Sequence, residues 1–287
     1  MKVIIPTAGY GTRFLPFSKV LPKEFWPLAD KPILHYIAQE AILAGMKELI
    51  LVTRPGNNNF LNYFKKDKKL EKLLIDRKKT KALKEIREID NLFKGILFSN
   101  VFQKKPLGDG HAVLMAKKLI KNQACAVMFC DDIVISKRPC IEQLSKVFKK
   151  YKSPVIALHR LPKEKISAYG VVKVKKIAKN LYEIKEIEEK PLSPSSNLAI
   201  TGKYIITPEI FSFLEKLTLS NGEIKMSEAF NQMIKKGHRV LGYEYEGEWL
   251  ECGDKINYLK SNIYLSLKKH SQSGLKLKRM WRNWNTR

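Results

Sequence analysis

Cysteine is scarce in this chain of 287 residues. Cys125, Cys130, Cys140 and Cys252 form no CxxC pair and have no histidine at zinc-site spacing. That excludes a scaffold stapled by disulfides or structural zinc and leaves reduced thiols in a cytoplasmic protein as the expectation. Long apolar runs are absent too, and none approaches the eighteen or more residues that a membrane span needs. The opening MKVIIPTAG has one lysine and few apolar residues before Pro6 and Gly9 break it, too short for a signal peptide. Acidic residues are also in deficit, 28 against 54 Lys and Arg, for a net charge of +26. An excess of that size ordinarily points to nucleic acid or an anionic membrane. Here it is mostly lysine spread along the chain, so no dedicated nucleic-acid partner is expected. The stretch from Lys268 to Arg287 is basic without a single acid and carries Trp281 and Trp284. It reads as a solvated end or as a surface-interaction segment.

What is present is enough apolar residue, 44%, to build one large α/β domain. The chain is organised around its first thirty-two residues. Val3 to Pro6 read as a buried strand that runs into Gly9-Tyr10-Gly11. Glycines there let the backbone approach a ligand closely and turn its N–H groups toward a phosphate. The pair matches neither the P-loop nor the full dinucleotide fingerprint, so by itself it is equally a tight turn. Arg13 adds a guanidinium that can fork onto phosphate oxygens, and Lys23 adds a point charge. Two cations and a glycine loop suit a triphosphate.

Further along, Ile33 to Ala44 recur at helical spacing before a C-cap glycine at Gly45, and Glu48 to Thr53 form a second buried strand. This strand-helix-strand order opens a parallel sheet. Charged surface helices follow from Asn59 to Leu92, then a strand from Gly95 to Phe102 and a two-glycine loop that opens a helix from Ala112 to Ile120. Ala124 to Phe129 form a strand ending in Cys130-Asp131-Asp132. Carboxylates at the end of a parallel strand stand where open α/β sheets bind ligands, although two adjacent acids also fit a cap or a turn. After a strand at Pro154 to Leu158, alternating residues at Ala168 to Val172 and Leu181 to Ile187 predict a hairpin turning at Lys179-Asn180. Glu188-Glu189-Lys190-Pro191 closes it. A strand over Asn197 to Ile206, helices at Pro208 to Leu217 and Ser227 to Lys236, and a strand over Arg239 to Tyr245 come next. Ile256, Leu259, Ile263 and Leu267 trace a last amphipathic helix.

Taken together, Ala8-Gly9-x-Gly11-Thr12-Arg13, Leu15-Pro16, Lys19, Pro22-Lys23-Glu24, Pro27-Leu28 and Asp30-Lys31-Pro32 resemble the signature of the sugar-1-phosphate nucleotidylyltransferases. The resemblance covers residues 1 to about 270. It implies a Rossmann-like mixed, mostly parallel sheet flanked by helices, with an antiparallel hairpin in the sugar-binding part. Residues 1–270 would be one domain, its nucleotide-binding part about 1–135 and its sugar-binding part about 136–254, followed by a basic tail over 271–287. The implied reaction joins UTP and glucose 1-phosphate, and homodimers or homotetramers are expected. Carried over by position, Ala8, Gly9, Gly11, Thr12, Gln103, Gly108 and His111 hold the nucleotide. Tyr169, Gly170, Glu189, Lys190, Gly202 and Glu223 hold the sugar phosphate, and Arg13, Lys23 and Lys190 serve catalysis. Asp131 and Glu251 would hold Mg2+. The family usually has Asp where Glu251 stands, so a longer arm must be accommodated, or Asp254 shares the task. Met226-Ser227-Glu228 likewise departs from the family's Leu-Thr-Asp. A thymidylyltransferase shares almost every motif, and a non-catalytic nucleotide- or nucleic-acid-binding protein is the reading from another class.

Overall fold

A computed structural model describes residues 1–57, 59–217 and 222–269. Strand β1 (Lys2–Pro6) leads into three separate 3-10 turns, at Thr12–Phe14, Phe17–Lys19 and Lys23–Phe25, then a short pair, β2 (Pro27–Leu28) with β3 (Lys31–Pro32). Helix α1 (Ile33–Leu43) returns along the sheet to β4 (Glu48–Thr53). It stops at Gly45, whose φ of 79° only glycine adopts without strain. Helices α2 (Asn59–Tyr63), α3 (Lys68–Asp76) and α4 (Thr80–Phe93) precede β5 (Leu97–Phe102). The Asp67 side chain caps α3 by accepting the Leu70 N–H at 3.0 Å.

Next come α5 (Asp109–Met115), α6 (Lys117–Ile120), β6 (Cys125–Met128), β7 (Asp132–Ile135), α7 (Cys140–Tyr151) and β8 (Val155–Arg160). Helix α8 (Lys163–Ile166) leads to the hairpin β9 (Gly170–Ala178) and β10 (Leu181–Glu189), and then β11 (Leu198–Ile206), α9 (Glu209–Lys216) and α10 (Met226–Lys235) follow. The chain ends its described part with β12 (Leu241–Glu244), β13 (Glu248–Glu251) and α11 (Lys255–Lys269).

Nine strands form one sheet in the order β5-β4-β1-β6-β11-β8-β12-β10-β9. Its first four strands are parallel, built by right-handed crossovers from short apolar runs. β11 then runs antiparallel to both β6 and β8, so the antiparallel share extends beyond the expected hairpin and the sheet is fully mixed. A separate two-stranded ribbon pairs β13 with β7. Both faces of the sheet are buried. Val3 and Ile5 pack on the side of α1 and α7, while Ile4 packs on the side of α5, α9 and α10, as the period of two requires.

Two elements differ from their sequence reading. The helix after the two-glycine loop begins at Asp109 rather than Ala112 and breaks at Ala116. Asp109 stands in its first turn, where a negative charge is favoured, and accepts the Gly110 N–H at 2.7 Å. Helix α11 forms, but Ile256, Leu259 and Ile263 face solvent. Its inward face is held by polar contacts: Tyr258 Oη and Asn262 Nδ2 both donate to the Pro27 carbonyl, at 2.6 and 2.8 Å, and Ser261 Oγ donates to that of Glu251. Leu265 supplies its buried apolar contact. The basic tail over 271–287 lies outside the described residues.

One ion pair is sealed inside the core. Lys203 on β11, with no exposed side-chain surface, lies 2.8 Å from Glu40 of α1, which is itself almost buried. The approach is close but off the hydrogen-bond direction, so the attraction is chiefly coulombic. The other oxygen of Glu40 accepts the Ile141 N–H at the start of α7. Removing one partner strands a buried charge, whereas replacing both removes the problem. Lys203→Met is therefore expected to lower unfolding free energy by about 3–5 kcal/mol, and Glu40→Leu combined with it to recover much of the loss in urea denaturation. Single and double variants of equal stability would show that the pair carries no such coupling.

Candidate functional site

The cleft lies over the carboxyl ends of β1, β4 and β6, at the place where the sheet changes from parallel to antiparallel. Asp131 occupies the turn after β6, and Asp132 opens β7. Asp132 accepts the Gly202 N–H at 3.0 Å and Trp249 Nε1–H at 2.7 Å, which ties β11 and β13 to the cleft floor. Burial, and then the neighbouring Asp131 charge, push its carboxyl up to about 7 against the opposing pull of Lys203 and these two donors. Gly202 packs under Asp132: a Cβ there would lie 2.4 Å from Asp132 Oδ2 and 2.9 Å from Phe129 Cβ. Glycine is required here for room, since β11 keeps ordinary backbone angles at that point.

Lys23 bonds directly to Asp131. Burial alone would lower the lysine pKa, but the Asp131 and Glu24 charges outweigh it, and the ammonium is held above its ordinary value. Glu24 is buried beneath, with one oxygen unpartnered among the described residues, and desolvation lifts its carboxyl to about 7. Arg13 is exposed on the cleft and donates to the Gly253 carbonyl at 3.3 Å. The glycine loop opens the first 3-10 turn rather than a long helix. Gly11 takes φ 60°, its carbonyl accepts Ser18 Oγ–H at 2.8 Å, and Thr12 is exposed. Phosphate binding at this loop would rest on local N–H groups and side-chain cations, without an α-helix dipole.

Ala8 lines a cavity of about 410 Å³ together with Tyr10, Pro22, Arg54, Asn57 and Gln103. The Arg54 guanidinium stacks 4.5 Å from the centre of the Tyr10 ring. Gln103 is buried, and its Nε2 donates to the Gly108 carbonyl at 3.0 Å and meets His111 Nδ1 at 2.9 Å. Its Oε1 is left as the acceptor toward the cavity. His111, within the first turn of α5, serves as partner to Gln103, and burial lowers its pKa. Gly108 has φ 97°, and a Cβ there would approach the Ile224 carbonyl to 2.5 Å. Glu223 is exposed beside it and is not part of either cavity wall.

A second cavity, of about 600 Å³, brings together Arg13, Asp131, Tyr169, Gly170, Glu189, Lys190, Gly202 and Glu251. Lys190 ends the hairpin with φ 48°, and its N–H bonds to the Tyr169 carbonyl at 3.2 Å. Tyr169 in turn donates its hydroxyl to Glu251 Oε2, which also accepts Asn257 Nδ2–H at 2.8 Å. Burial, then the charges of Asp254 and Asp131, raise the Glu251 pKa, while Tyr169 opposes them. Asp254 is engaged elsewhere. Its two oxygens accept the backbone N–H and side-chain amide of Asn257, capping α11.

The point where a side chain at Gly253 would begin is 3.5 Å from each of Arg13 Nη1, Asp131 Oδ2 and Glu251 Oε1. Glycine leaves that space open, and two carboxylates around it fit a hard cation completed by phosphate oxygens and water. Among the described residues there is no cluster of three or more His, Cys, Asp or Glu that would make a cage of protein ligands alone. The Lys23–Asp131 pair lies between the two cavities, since Pro22 lines one and Asp131 the other.

Several cleft residues went unread in the sequence. Arg54 follows the carboxyl end of β4 in a Pro-Gly turn, a position equivalent to that of the glycine loop after β1, and this signal was available. Asp109, Trp249 and Asn257 reach the second cavity from distant segments, and no local pattern marks them.

Comparison with known proteins places the chain in a family. The nucleotidyl transferase family model matches residues 2–266. A curated relative, the UTP–glucose-1-phosphate uridylyltransferase of Bacillus subtilis, is 35% identical over 269 residues, covering 93% of this chain and 91% of its own. Among solved structures, the UTP-bound enzyme of Acinetobacter baumannii superposes with TM-score 0.88 at 31% identity over 97% of both chains. A UDP-glucose pyrophosphorylase complexed with UDP-glucose gives TM-score 0.83 at 34% identity, covering 93% of this chain and 99% of its own. With a family model spanning nearly the whole described chain and relatives above 30% identity over nine-tenths of it, this chain belongs to the nucleotidyl transferase family.

Proposed function

We propose that this chain transfers the uridylyl group of UTP to α-D-glucose 1-phosphate, giving UDP-glucose and pyrophosphate. The observation that carries the reading is the pair of cavities on either side of Lys23–Asp131, one beside the glycine loop and Gln103, the other lined by Glu189 and Lys190. A base and ribose on one side and a sugar on the other would place the α-phosphate between them. The curated and solved relatives, which are uridylyltransferases and complexes with UTP or UDP-glucose, support the same substrates.

In this mechanism a phosphate oxygen of the sugar phosphate attacks the α-phosphorus in line. A new O–P bond forms, the bond from the α-phosphorus to the bridging oxygen breaks, and its electrons leave with pyrophosphate. No covalent enzyme intermediate is needed, so catalysis consists of positioning and charge stabilisation. Lys190 holds the attacking phosphate, and Arg13 and Lys23 neutralise the triphosphate and the leaving pyrophosphate. Ala8, Gly9, Gly11 and Thr12 supply the loop that faces the phosphates. Gln103 Oε1 accepts the uracil N3–H, which cytosine lacks, while Gly108 and His111 fix the glutamine. Tyr169, Gly170, Glu189 and Gly202 shape the sugar side, whereas Glu223, outside the cavity wall, keeps no direct role there.

Enzymes of this family generally use a divalent metal, and for this chain we assign magnesium to Asp131 and Glu251. When bound it supplies positive charge to the phosphate oxygens. Glu251 is preferred over Asp254 because Asp254 is committed to α11. The longer glutamate arm is held at Oε2 by Tyr169 and Asn257, leaving Oε1 toward Asp131. The nucleotide part over about 1–135 and the sugar part over 136–254 then meet at this carboxylate pair. No helix of the described residues is long and apolar enough to cross a membrane. We place the enzyme in the cytoplasm, where its four buried free cysteines would stay reduced, as a homodimer or homotetramer by family resemblance.

The direct test is a matrix of nucleoside triphosphates against sugar 1-phosphates with pyrophosphate release as readout. UTP with glucose 1-phosphate should give the highest kcat/KM, and a higher value for dTTP would reassign the enzyme. Lys190→Ala should raise the KM for glucose 1-phosphate about 10- to 100-fold, the value of a lost charge-assisted contact, with the KM for UTP changed less than about threefold. Equal losses for both substrates would remove Lys190 from the sugar-phosphate role. Asp131→Asn should cut kcat at least about a hundredfold, as loss of a group aimed at transition-state charge does. Glu251→Ala should shift the magnesium concentration needed for half-maximal rate upward. A Glu251→Ala rate and metal dependence matching wild type would show that Glu251 is no ligand.

A further inference from the structure

Asp109 plays no part in the assignments above, yet its carboxylate is held by backbone from two elements on the sugar side of the cleft. It sits between two glycines that press the loop against the segment before α10. A Cβ at Gly108 would meet the Ile224 carbonyl at 2.5 Å, and one at Gly110 would meet Leu214 Cδ2 at 2.8 Å and the Ile224 carbonyl at 2.9 Å. Backbone bonds lock the same contact, from the Gly110 N–H to the Ile224 carbonyl at 2.9 Å and from the Ile224 N–H to the Leu107 carbonyl at 2.7 Å. Asp109 Oδ1 then accepts two N–H groups, from Gly110 at 2.7 Å and from Met226, the first residue of α10, at 3.1 Å. One oxygen is thus fixed by backbone from two different elements, and the carboxylate plane has little freedom.

The second oxygen has no such role. No donor among the described residues bonds to Oδ2, and Asp109 lines the 600 Å³ cavity with Glu189, Lys190, Tyr204 and Ser227. The residue is exposed. The wall is mostly polar, with apolar patches from Ile187, Ile200 and Phe230. Among the polar groups of such a chamber, those held in one orientation by the fold set the orientation of the ligand. Although the residue as a whole is exposed, the protein packed around its carboxyl, with Glu189 and Glu223 nearby, raises it to about 6 against the two backbone donors. It is still ionised at neutral pH, where it accepts hydrogen bonds and donates none.

We infer that Asp109 is a specificity-determining residue for the sugar, its Oδ2 accepting one hydroxyl of the hexose 1-phosphate while Oδ1 braces the loop against α10. The inference rests on the uridylyltransferase reading. A site built to bond a substrate hydroxyl rejects the analogue that lacks it, because the acceptor is left unpaired.

The experiment compares kcat/KM for glucose 1-phosphate and its 2-, 3-, 4- and 6-deoxy analogues, at saturating UTP, in wild type, Asp109→Asn and Asp109→Leu. Wild type is expected to lose about 10- to 100-fold on one analogue. In Asp109→Leu, glucose 1-phosphate should fall to that level and the same analogue should suffer no further loss. Asp109→Asn retains an oxygen for the two backbone donors. It should melt within a few degrees of wild type, keep the KM for UTP within about threefold and show a smaller penalty on the same analogue. This second variant decides the matter if Asp109→Leu does not fold. If every deoxy penalty persists unchanged in the variants, Asp109 is only a brace and the inference is wrong. Failure of wild type to release pyrophosphate from UTP and glucose 1-phosphate overturns the activity itself, and this inference with it.

Discussion

An ammonium group sealed under the cleft, paired with Glu40 and felt by Asp132, is the constraint on which the site depends. Lys203 enters the core at the point where the pairing of β11 with β8 slips between Thr201 and Tyr204. At that irregularity the Gly202 N–H donates to Asp132, while Lys203, on the same face of β11 as Ile205, reaches Glu40. Glu40 also holds the first turn of α7. A strand, two helices and the cleft floor therefore share one electrostatic anchor. Buried pairs seldom add net stability over apolar replacements. This one lies where the parallel and antiparallel halves of the sheet join.

Above that floor the same principle recurs with smaller groups. Asp132 bonds to β11 and β13, Asp109 to α5 and α10, and Gln103 to the loop carbonyl and His111. Each side chain links groups that lie apart in the sequence, so the cleft is held by polar cross-links rather than by long helices ending at the ligand. This compensates for the glycine loop opening only a 3-10 turn.

Much of this was legible in the sequence, because β1, β4 and β6 are short apolar runs and the motif from Ala8 to Pro32 is dense. Arg13 and Lys23 stood out by local pattern, whereas Lys190, Glu251 and the choice of Asp131 over Asp132 came from the family resemblance; Arg13, Asp131, Lys190 and Glu251 share one cavity wall. The inward face of α11 was not legible. Ile256, Leu259 and Ile263 form a plausible apolar stripe, but Tyr258, Ser261 and Asn262 find backbone carbonyls that no periodicity reveals. Asp109 escaped for a related reason. Its meaning comes from Met226, 117 residues away, and a polar residue between glycines looks like any loop until the fold supplies its partner.

The chain's charge acquires a different sense once the cleft is in view. Fifty-four basic side chains give the molecule a strongly positive far field, while the wall of the larger cavity carries Asp109, Asp131, Asp132, Glu189, Glu251 and Asp254. A polyphosphate is drawn toward the protein over roughly a Debye length, about 8 Å at physiological salt, and then meets carboxylates at close range. Attraction at a distance and repulsion at contact make a filter: an anion can settle here only where fixed cations or its own counter-ion offset the acids, so the surface gathers anions indiscriminately and the interior sorts them.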